Sequence, residues 1–234
     1  MSDEYQYSEL PAIQLFQRLG YQYLNGKESD ERHDLSEVIL KNRLLSAIQK
    51  LNPWINENNL FKAYDKLTTV QGSSLMEINE QIWELIRGAS FTVKQEFDGV
   101  EDFKVVSYID YQNPENNDFL VVNQFRYVSK IGNHSIPDLV VYVNGIPVAI
   151  LECKSPVAST AWDAAYNDLH QYQELNERLF HYNQICAGIW KVGGRYGAIN
   201  APQAFYSVFR TSEKEIVEHI ETEQDKLIYN LFRK

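Results

Sequence analysis

Cysteine is scarce in this sequence, since Cys153 and Cys186 are the only two among 234 residues. Two cysteines in a chain of this length do not form the dense disulfide framework of small secreted domains. Both fall in apolar stretches typical of strands, where a free cysteine behaves as a small hydrophobic side chain. We therefore expect two buried free thiols in a reducing compartment, which indicates a cytoplasmic protein.

Long hydrophobic runs are also missing. No stretch approaches the roughly 20 apolar residues that a helix needs to cross a bilayer. The N-terminus, Met1-Ser2-Asp3-Glu4, lacks the apolar core of a secretory signal peptide. The sequence contains no internal repeat, low-complexity tract or linker, and we expect a protein that does not interact with a membrane.

Positive charge is in deficit, with 22 lysine and arginine residues against 32 aspartate and glutamate residues and a net charge of −10. Proteins that bind DNA unaided usually carry a basic face, because neutralised phosphates supply most of the non-specific affinity. Either a local basic rim surrounds any DNA site on this chain, or other subunits hold the DNA. The overall charge favours the second alternative.

Core-forming residues are abundant, since 44% of the sequence is hydrophobic. We predict a single domain over residues 1–234, with a mainly helical part at 1–90, an α/β core at 91–210 and a C-terminal helix at 211–234. Thr160 is the predicted N-cap of the fifth helix. Hydrophobic periodicity predicts helices at 8–19, 34–51, 57–67, 74–87, 161–178 and 212–232, and strands at 91–97, 104–109, 119–127, 139–143, 148–151, 183–190 and 195–199.

Three charged residues, Asp138, Glu152 and Lys154, interrupt the otherwise apolar block that contains the two predicted strands on either side of Asn144-Gly145. Runs of Val, Ile and Leu such as these are typical of strands buried on both faces. Burying a charge there is costly unless the charge is paired or bound to a metal. Because side chains alternate along a strand, Glu152 and Lys154 share one face.

Two carboxylates and a main-chain carbonyl are the hard oxygen ligands that Mg²⁺ prefers, and the pattern predicts a Mg²⁺ site at Asp138, Glu152 and the Cys153 carbonyl. Lys154 is then placed to orient a water molecule or to neutralise charge on a phosphate. The alternative is a strand that ends in a surface salt bridge between Glu152 and Lys154.

The turn between the strands decides whether one metal can contact both carboxylates. A two-residue turn that pairs Val143 with Ile146 would place Asp138 and Glu152 on opposite faces, unless a further irregularity compensates. A three-residue loop ending in a bulge would place them on the same face. We therefore predict the three-residue loop, with Gly145 at positive φ.

Three segments resemble the N-terminal nuclease domain of the restriction (R) subunit of type I restriction–modification enzymes. They are EVIL with LNP at 37–40 and 51–53, IDYQNPENNDFLVVNQF at 109–125, and the stretch from PD to ECKSP at 137–156. The resemblance implies an α/β, restriction-endonuclease-like fold of the PD-(D/E)xK class, with a central mixed sheet flanked by helices. It also implies an endonuclease that cuts double-stranded DNA with Mg²⁺, without sequence preference.

The resemblance extends to positions outside the two strands. The family's Gln-x-x-x-Tyr motif falls on Asp168 and Tyr172, where Tyr172 matches and Asp168 departs. An Asp at this position could hydrogen-bond Lys154 or water, but when ionised it cannot donate to a phosphate. Tyr172 could equally continue an apolar stripe and pack. Glu9 is the candidate for an acid on the first helix, with a solvated Glu as the alternative.

The partners that the resemblance implies are DNA and the methylation and specificity subunits of the restriction complex. The family's complete R subunit also carries two ATP-driven motor domains, whose phosphate loop is absent from this sequence. Any dependence on ATP would therefore belong to a part that is missing here. Two other interpretations remain open: a non-catalytic docking module of nuclease fold, and a stand-alone nuclease of the same superfamily.

Overall fold

A six-stranded mixed sheet forms the centre of the protein, in the order β1-β4-β7-β8-β9-β10. The computed structural model describes residues 2–28, 30–88, 91–97, 99–210 and 220–234. The β1/β4 and β8/β9 pairs are parallel and the other neighbours are antiparallel. The strands are β1 (Gln22–Asn25), β2 (Thr92–Phe97), β3 (Val100–Val105), β4 (Phe119–Asn123), β5 (Tyr127–Val128), β6 (His134–Ser135), β7 (Leu139–Val143), β8 (Ile146–Cys153), β9 (Ile185–Trp190) and β10 (Gly193–Gly197).

Helices cover both faces of this sheet, which confirms the predicted α/β fold with a central mixed sheet. In the described ranges, no helix combines the length and the apolar character needed to cross a membrane. A π-helical turn at Tyr5–Glu9 leads directly into the first α-helix. The α-helices of the described residues are α1 (Leu10–Arg18), α2 (Lys41–Leu51), α3 (Glu57–Thr68), α4 (Leu75–Ile86), α5 (Ala161–Leu175) and α6 (Glu223–Phe232).

The central strands contribute alternate residues to two hydrophobic cores. Val140 and Ile150 belong to a core shared with α2, α3, α4 and α5. Val141 and Leu151 point the other way and belong to a core shared with α1 and α6. All four side chains are fully buried. This two-sided burial explains the continuous apolar runs, and it leaves the ends of the strands as the places where charged side chains can project.

The second helix begins seven residues later than predicted, at Lys41 instead of residue 34. The preceding segment forms other hydrogen bonds: the Leu40 N–H donates to the Gly145 carbonyl at 3.0 Å and the Val128 N–H donates to the Leu35 carbonyl at 3.1 Å. The pattern of apolar residues resembled a helix, but these tertiary contacts hold the segment against the β7–β8 turn and β5.

Other boundaries also shift. The predicted strand at 104–109 lies earlier, at β3, and β1 is a strand in the part predicted to be helical. The predicted strand at 119–127 is broken at Gln124, whose φ is +49°. Thr160 precedes α5 without a side-chain capping hydrogen bond, so its predicted capping role is wrong. Of the predicted helix at 212–232, residues 223–232 are helical, and residues 212–219 lie outside the described residues.

The β7–β8 turn is a two-residue turn, and the predicted three-residue loop is wrong. Val143 pairs with Ile146. Asn144 and Gly145 have φ values of +54° and +76°, the double positive φ that an Asn-Gly hairpin favours. The prediction of a positive φ at Gly145 is confirmed. A Cβ atom here would also lie 2.6 Å from the Leu40 carbonyl oxygen.

A bulge in β8 places Asp138 and Glu152 on the same face, which the two-residue turn alone would not do. The register shifts between Val141 and Tyr142, because Tyr142 pairs with Pro147 whereas Val141 pairs with Ala149. Val148 is therefore an extra residue in β8, next to a proline that has no N–H to donate. One extra residue moves every later side chain of β8 to the opposite face of the sheet, so Glu152 lies on the face that carries Asp138.

The polar loop before β4 supports this turn. The Asn144 side chain accepts the Asp118 N–H at 2.7 Å, and it donates to the Tyr108 carbonyl and to Asn117 Oδ1, both at 2.8 Å. Asp118 in turn forms a salt bridge to Arg43 of α2 at 2.8 Å. The first part of the segment at 109–125, up to Asp118, thus has a structural task at the end of the sheet away from the charged cluster.

Candidate functional site

Asp138 and Glu152 meet on one face, at the edge of the sheet where β7 begins and β8 ends. They lie one residue beyond the Leu139–Leu151 pair. The Asp138 N–H donates to Glu152 Oε1 at 3.4 Å. Asp138 is 7% exposed and Glu152 is 2% exposed. The structure therefore brings the two predicted carboxylates together in a buried setting.

Main-chain and side-chain donors hold these carboxylates in place. Asp138 Oδ2 accepts the Cys153 N–H at 2.8 Å, and Asp138 Oδ1 accepts the Gln124 side-chain amide at 3.0 Å. Burial raises the pKa of Asp138. Burial, and then the neighbouring charge of Asp138, raise the pKa of Glu152 well above its ordinary value. Both shifts mean that the site strongly disfavours two uncompensated negative charges.

Lys154 lies between two carboxylates, with Nζ at 3.0 Å from Glu152 Oε2 and at 2.7 Å from Asp168 Oδ2. Burial alone would lower the pKa of Lys154, but the charge of Glu152 and the hydrogen bond to Asp168 raise it above its usual range. Lys154 is thus a fixed cation. The expected contact between Asp168 and Lys154 is present. The Glu152–Lys154 salt bridge joins a buried carboxylate to a partly buried lysine, so it does not lie on the surface.

The sequence places Lys154 through its backbone and through the close approach of α5. The Lys154 N–H donates to the Ile189 carbonyl at 2.9 Å. Gly188 of β9 pairs with Glu152, and a Cβ at Gly188 would lie 2.7 Å from the Cβ of Ala165. The absence of a side chain at this position lets α5 lie close to the sheet, which brings Asp168 within reach of Lys154.

Tyr172 also reaches the site, one helical turn after Asp168. Its hydroxyl donates to the Ile136 carbonyl at 3.4 Å, just before Asp138. Its ring packs against the core below α5. Burial, and then the charge of Glu152, raise the pKa of Tyr172. Tyr172 therefore both packs against the core and lies beside the site.

Glu9 is buried, at 3% exposure, and is not the solvated side chain that was the alternative. Its Oε1 accepts the Asn123 side-chain amide at 2.9 Å, and its Oε2 accepts the Gln124 amide at 3.1 Å. Burial raises the pKa of Glu9. Because the same Gln124 amide donates to Asp138, Glu9 is joined to the site through Gln124.

Sequence reasoning missed Asn123 and Gln124 as site residues, although they stand in the second segment of the resemblance. The available signal was their position: two polar residues that directly follow the apolar run of β4, at the end of the sheet where β7 begins. Glu4 was missed as well. It lines a cavity of about 560 Å³ beside Asp138, together with Tyr5, Tyr23, Lys27 and their neighbours.

The donors at this edge suit a magnesium ion. No group of three His, Cys, Asp or Glu residues in the described part of the chain is arranged to hold a metal. Mg²⁺ does not need one, because it commonly takes one or two carboxylates and keeps several waters. Asp138 and Glu152 provide the carboxylates, with the Cys153 carbonyl on the same strand. A divalent cation would also offset the negative charges of Asp138 and Glu152, because Lys154 is shared between Glu152 and Asp168.

Comparison with known proteins adds to this geometry. The sequence model of the family described as "Type I restriction enzyme R protein N terminus" matches residues 1–205. The chain belongs to this family. The resemblance found in the sequence is therefore confirmed.

Two relatives illustrate the type I restriction enzyme family. A putative type I restriction enzyme MjaIXP endonuclease subunit of Methanocaldococcus jannaschii is 35% identical over 197 residues, which are 81% of this chain and 19% of that protein. The type I restriction enzyme HindI endonuclease subunit of Haemophilus influenzae is 30% identical over 196 residues, which are 81% of this chain and 18% of that protein. The chain thus spans about a fifth of the length of these relatives.

Proposed function

We propose that the chain is the Mg²⁺-dependent nuclease domain of a type I restriction enzyme R subunit, of the PD-(D/E)xK class, and that it hydrolyses phosphodiester bonds of double-stranded DNA. The observation that carries the proposal is the meeting of Asp138 and Glu152 on one buried face, with Lys154 beside them. The relatives are named endonuclease subunits, which supports a nuclease of this kind.

In this proposal each residue has a separate task. Asp138, Glu152 and the Cys153 carbonyl hold the Mg²⁺. When bound, the ion supplies Lewis-acid polarisation of the scissile phosphate and lowers the pKa of a water molecule. Lys154 donates hydrogen bonds from a fixed position to the attacking water or to the phosphate oxygens, where negative charge grows. Asp168 keeps the Lys154 ammonium turned toward Glu152.

The remaining partners follow from the charge of the chain. Glu4, Glu9 and Asp168 surround the site, and the net charge is −10. This excess of negative charge supports the interpretation that the specificity and methylation subunits hold the DNA, in the cytoplasm, and that the chain cuts whatever sequence is delivered to it. ATP would be used by motor domains of the kind the resemblance implies, outside this chain.

One observation favours the alternative of a non-catalytic docking module. Asp168 stands where the family has a glutamine, and it draws Lys154 into a second ion pair at 2.7 Å. A lysine held from two sides has less freedom to serve a reacting phosphate. In that case the fold would position the motor domains on the rest of the complex.

Plasmid cleavage by the assembled restriction complex, in Mg²⁺ and ATP, separates the two functions. We expect Glu152→Gln and Glu152→Ala to abolish cleavage, because each removes a carboxylate from the proposed ion site. The matched control is Glu80→Gln, which changes an exposed glutamate of α4. ATP hydrolysis should be unchanged in all variants. Cleavage by Glu152→Gln at the native rate would discard the nuclease proposal in favour of docking.

A further inference from the structure

Gln124 touches two buried carboxylates with one amide group. Its Nε2 lies 3.1 Å from Glu9 Oε2 and 3.0 Å from Asp138 Oδ1. A carboxylate only accepts hydrogen bonds when ionised, so both neighbours need a donor, and the amide NH₂ has two. This requirement fixes the orientation of the amide, with nitrogen and not oxygen toward the acids.

The Gln124 amide restrains one carboxylate oxygen of Asp138, and a main-chain N–H restrains the other. Asp138 Oδ2 accepts the Cys153 N–H at 2.8 Å, and Oδ1 accepts Gln124. Two donors on the two oxygens stop the carboxylate from rotating. The first donor belongs to the backbone of β8, so Gln124 is the side chain that completes the restraint.

The backbone of Gln124 is itself held in an unfavourable conformation. Its φ is +49°, in a backbone region that residues other than glycine and asparagine rarely adopt. The Gln124 N–H donates to the Asp138 carbonyl at 2.8 Å, and the Phe125 N–H donates to the Pro137 carbonyl at 3.0 Å. These two bonds tie the end of β4 to the start of β7, and they aim the Gln124 side chain at the site. Strain of this kind persists where the surrounding structure enforces it.

Glu9 contacts the same Gln124 amide nitrogen as Asp138 does. Its second oxygen accepts the Asn123 amide at 2.9 Å, and Asn123 in turn accepts the Tyr23 hydroxyl at 3.0 Å. Both Glu9 oxygens are thus engaged by amides that belong to consecutive residues. The arrangement resembles the outer partners that orient metal ligands in other proteins.

We propose that Gln124 is a positioning residue that fixes the Asp138 carboxylate for the cation, and that Glu9 acts on the site through Gln124 and not as a ligand. This inference rests on the proposed function, because it assumes that Asp138 binds a divalent ion. It assigns a role to the polar pair at the end of β4, and it places the buried acid of the first helix outside the coordination sphere.

The test measures binding of Mn²⁺ to the 234-residue chain by isothermal titration calorimetry, together with thermal melting in EDTA. Gln124→Gly removes the amide but suits the positive φ, so its melting temperature should not fall. Gln124→Asn is the second variant, since asparagine tolerates this φ but is one methylene shorter. We expect both to weaken Mn²⁺ binding by about 10–100-fold, the usual effect of losing an outer partner.

Glu9→Gln is the variant that separates the two roles of Glu9, because it keeps an oxygen that can accept from Gln124. We expect its Mn²⁺ affinity to stay within about threefold of the native value, since Gln124 remains in place. Asp138→Asn serves as the reference for loss of a ligand.

Two results would overturn the inference while leaving the proposed ion site intact. One is native affinity in Gln124→Gly and Gln124→Asn, with Asp138→Asn inactive in binding. The other is a loss in Glu9→Gln as large as that in Asp138→Asn, which would make Glu9 a ligand. By contrast, no saturable binding by the native chain, or native binding by Asp138→Asn, would overturn the ion site itself and the inference with it.

Discussion

Asn144 and Asp118 are joined by two reciprocal hydrogen bonds. The Asp118 N–H donates to Asn144 Oδ1 at 2.7 Å, and the Asn144 N–H donates to the Asp118 carbonyl at 2.8 Å. Asn144 is fully buried, and its φ is +54°. The Asn144 side chain and backbone therefore both tie the β7–β8 turn to the start of β4.

Asn144→Gly should destabilise the fold although glycine suits the backbone. The change leaves the Asp118 N–H and the Tyr108 carbonyl without their buried partner, which we expect to cost about 2–4 kcal/mol in the free energy of unfolding. Urea denaturation measures this. Asn116→Gly, in the loop that contains Asp118 and partly exposed, is the comparison. An effect of Asn144→Gly within about 0.5 kcal/mol, the usual range for surface substitutions, would show that water replaces these bonds.

Lys154→Ala should abolish DNA cleavage by the assembled complex and leave ATP hydrolysis and translocation intact. Lys154 is held at 3.0 Å from Glu152, where the proposed reaction needs a cation. Cleavage of a plasmid and ATP hydrolysis are measured on the same preparation, with Lys62→Ala of α3 as the control. Loss of motor activity together with cleavage would instead indicate misfolding or a structural role for Lys154.

The isolated chain should bind duplex DNA weakly, with a dissociation constant above about 1 μM at physiological salt. The reason is its net charge of −10 and the carboxylates around the site. Fluorescence anisotropy with a labelled duplex, at several salt concentrations, gives the affinity and its salt dependence. Submicromolar binding that weakens steeply with salt would reveal a basic face, and the shared-subunit explanation of DNA binding would fail.

Glu152→Gln should raise the stability of the chain in EDTA, by about 1 kcal/mol or more. Glu152 is 2% exposed and lies beside Asp138, so a neutral side chain of the same shape removes an unfavourable buried charge. Addition of Mg²⁺ should stabilise the native chain and leave the variant unchanged. Thermal melting with and without Mg²⁺ measures both effects. A variant that melts below the native chain in EDTA would mean that Lys154 already compensates the charge.

The sequence allowed the central strands and the charged cluster to be predicted because both signals are local. Apolar runs mark β7, β8 and β9, and the interruptions mark Asp138, Glu152 and Lys154. The start of α2 could not be found in this way, since tertiary hydrogen bonds at Leu40 override the helical pattern. Gln124 was missed for a similar reason, because its role depends on a positive φ and on two acids distant in the chain.

The turn illustrates a different limit. The requirement that Asp138 and Glu152 share a face was met, but by a bulge at Val148 and not by the loop. The Asn144-Gly145 pair satisfied its own local preference for a two-residue turn. The compensation came three residues later, beside Pro147, where no local signal required it.

The extra residue at Val148 also bears on how related sequences should be aligned. A one-residue gap between the turn and Glu152 would ordinarily pass as harmless variation in loop length. Here it would rotate every later side chain of β8 by half a turn, so that the acid entered the layer of α1 and α6 and Cys153 took its place. A single-residue insertion or deletion between the turn and Glu152 therefore predicts a protein that keeps the fold and loses the site. Two such changes together would return Glu152 to its face.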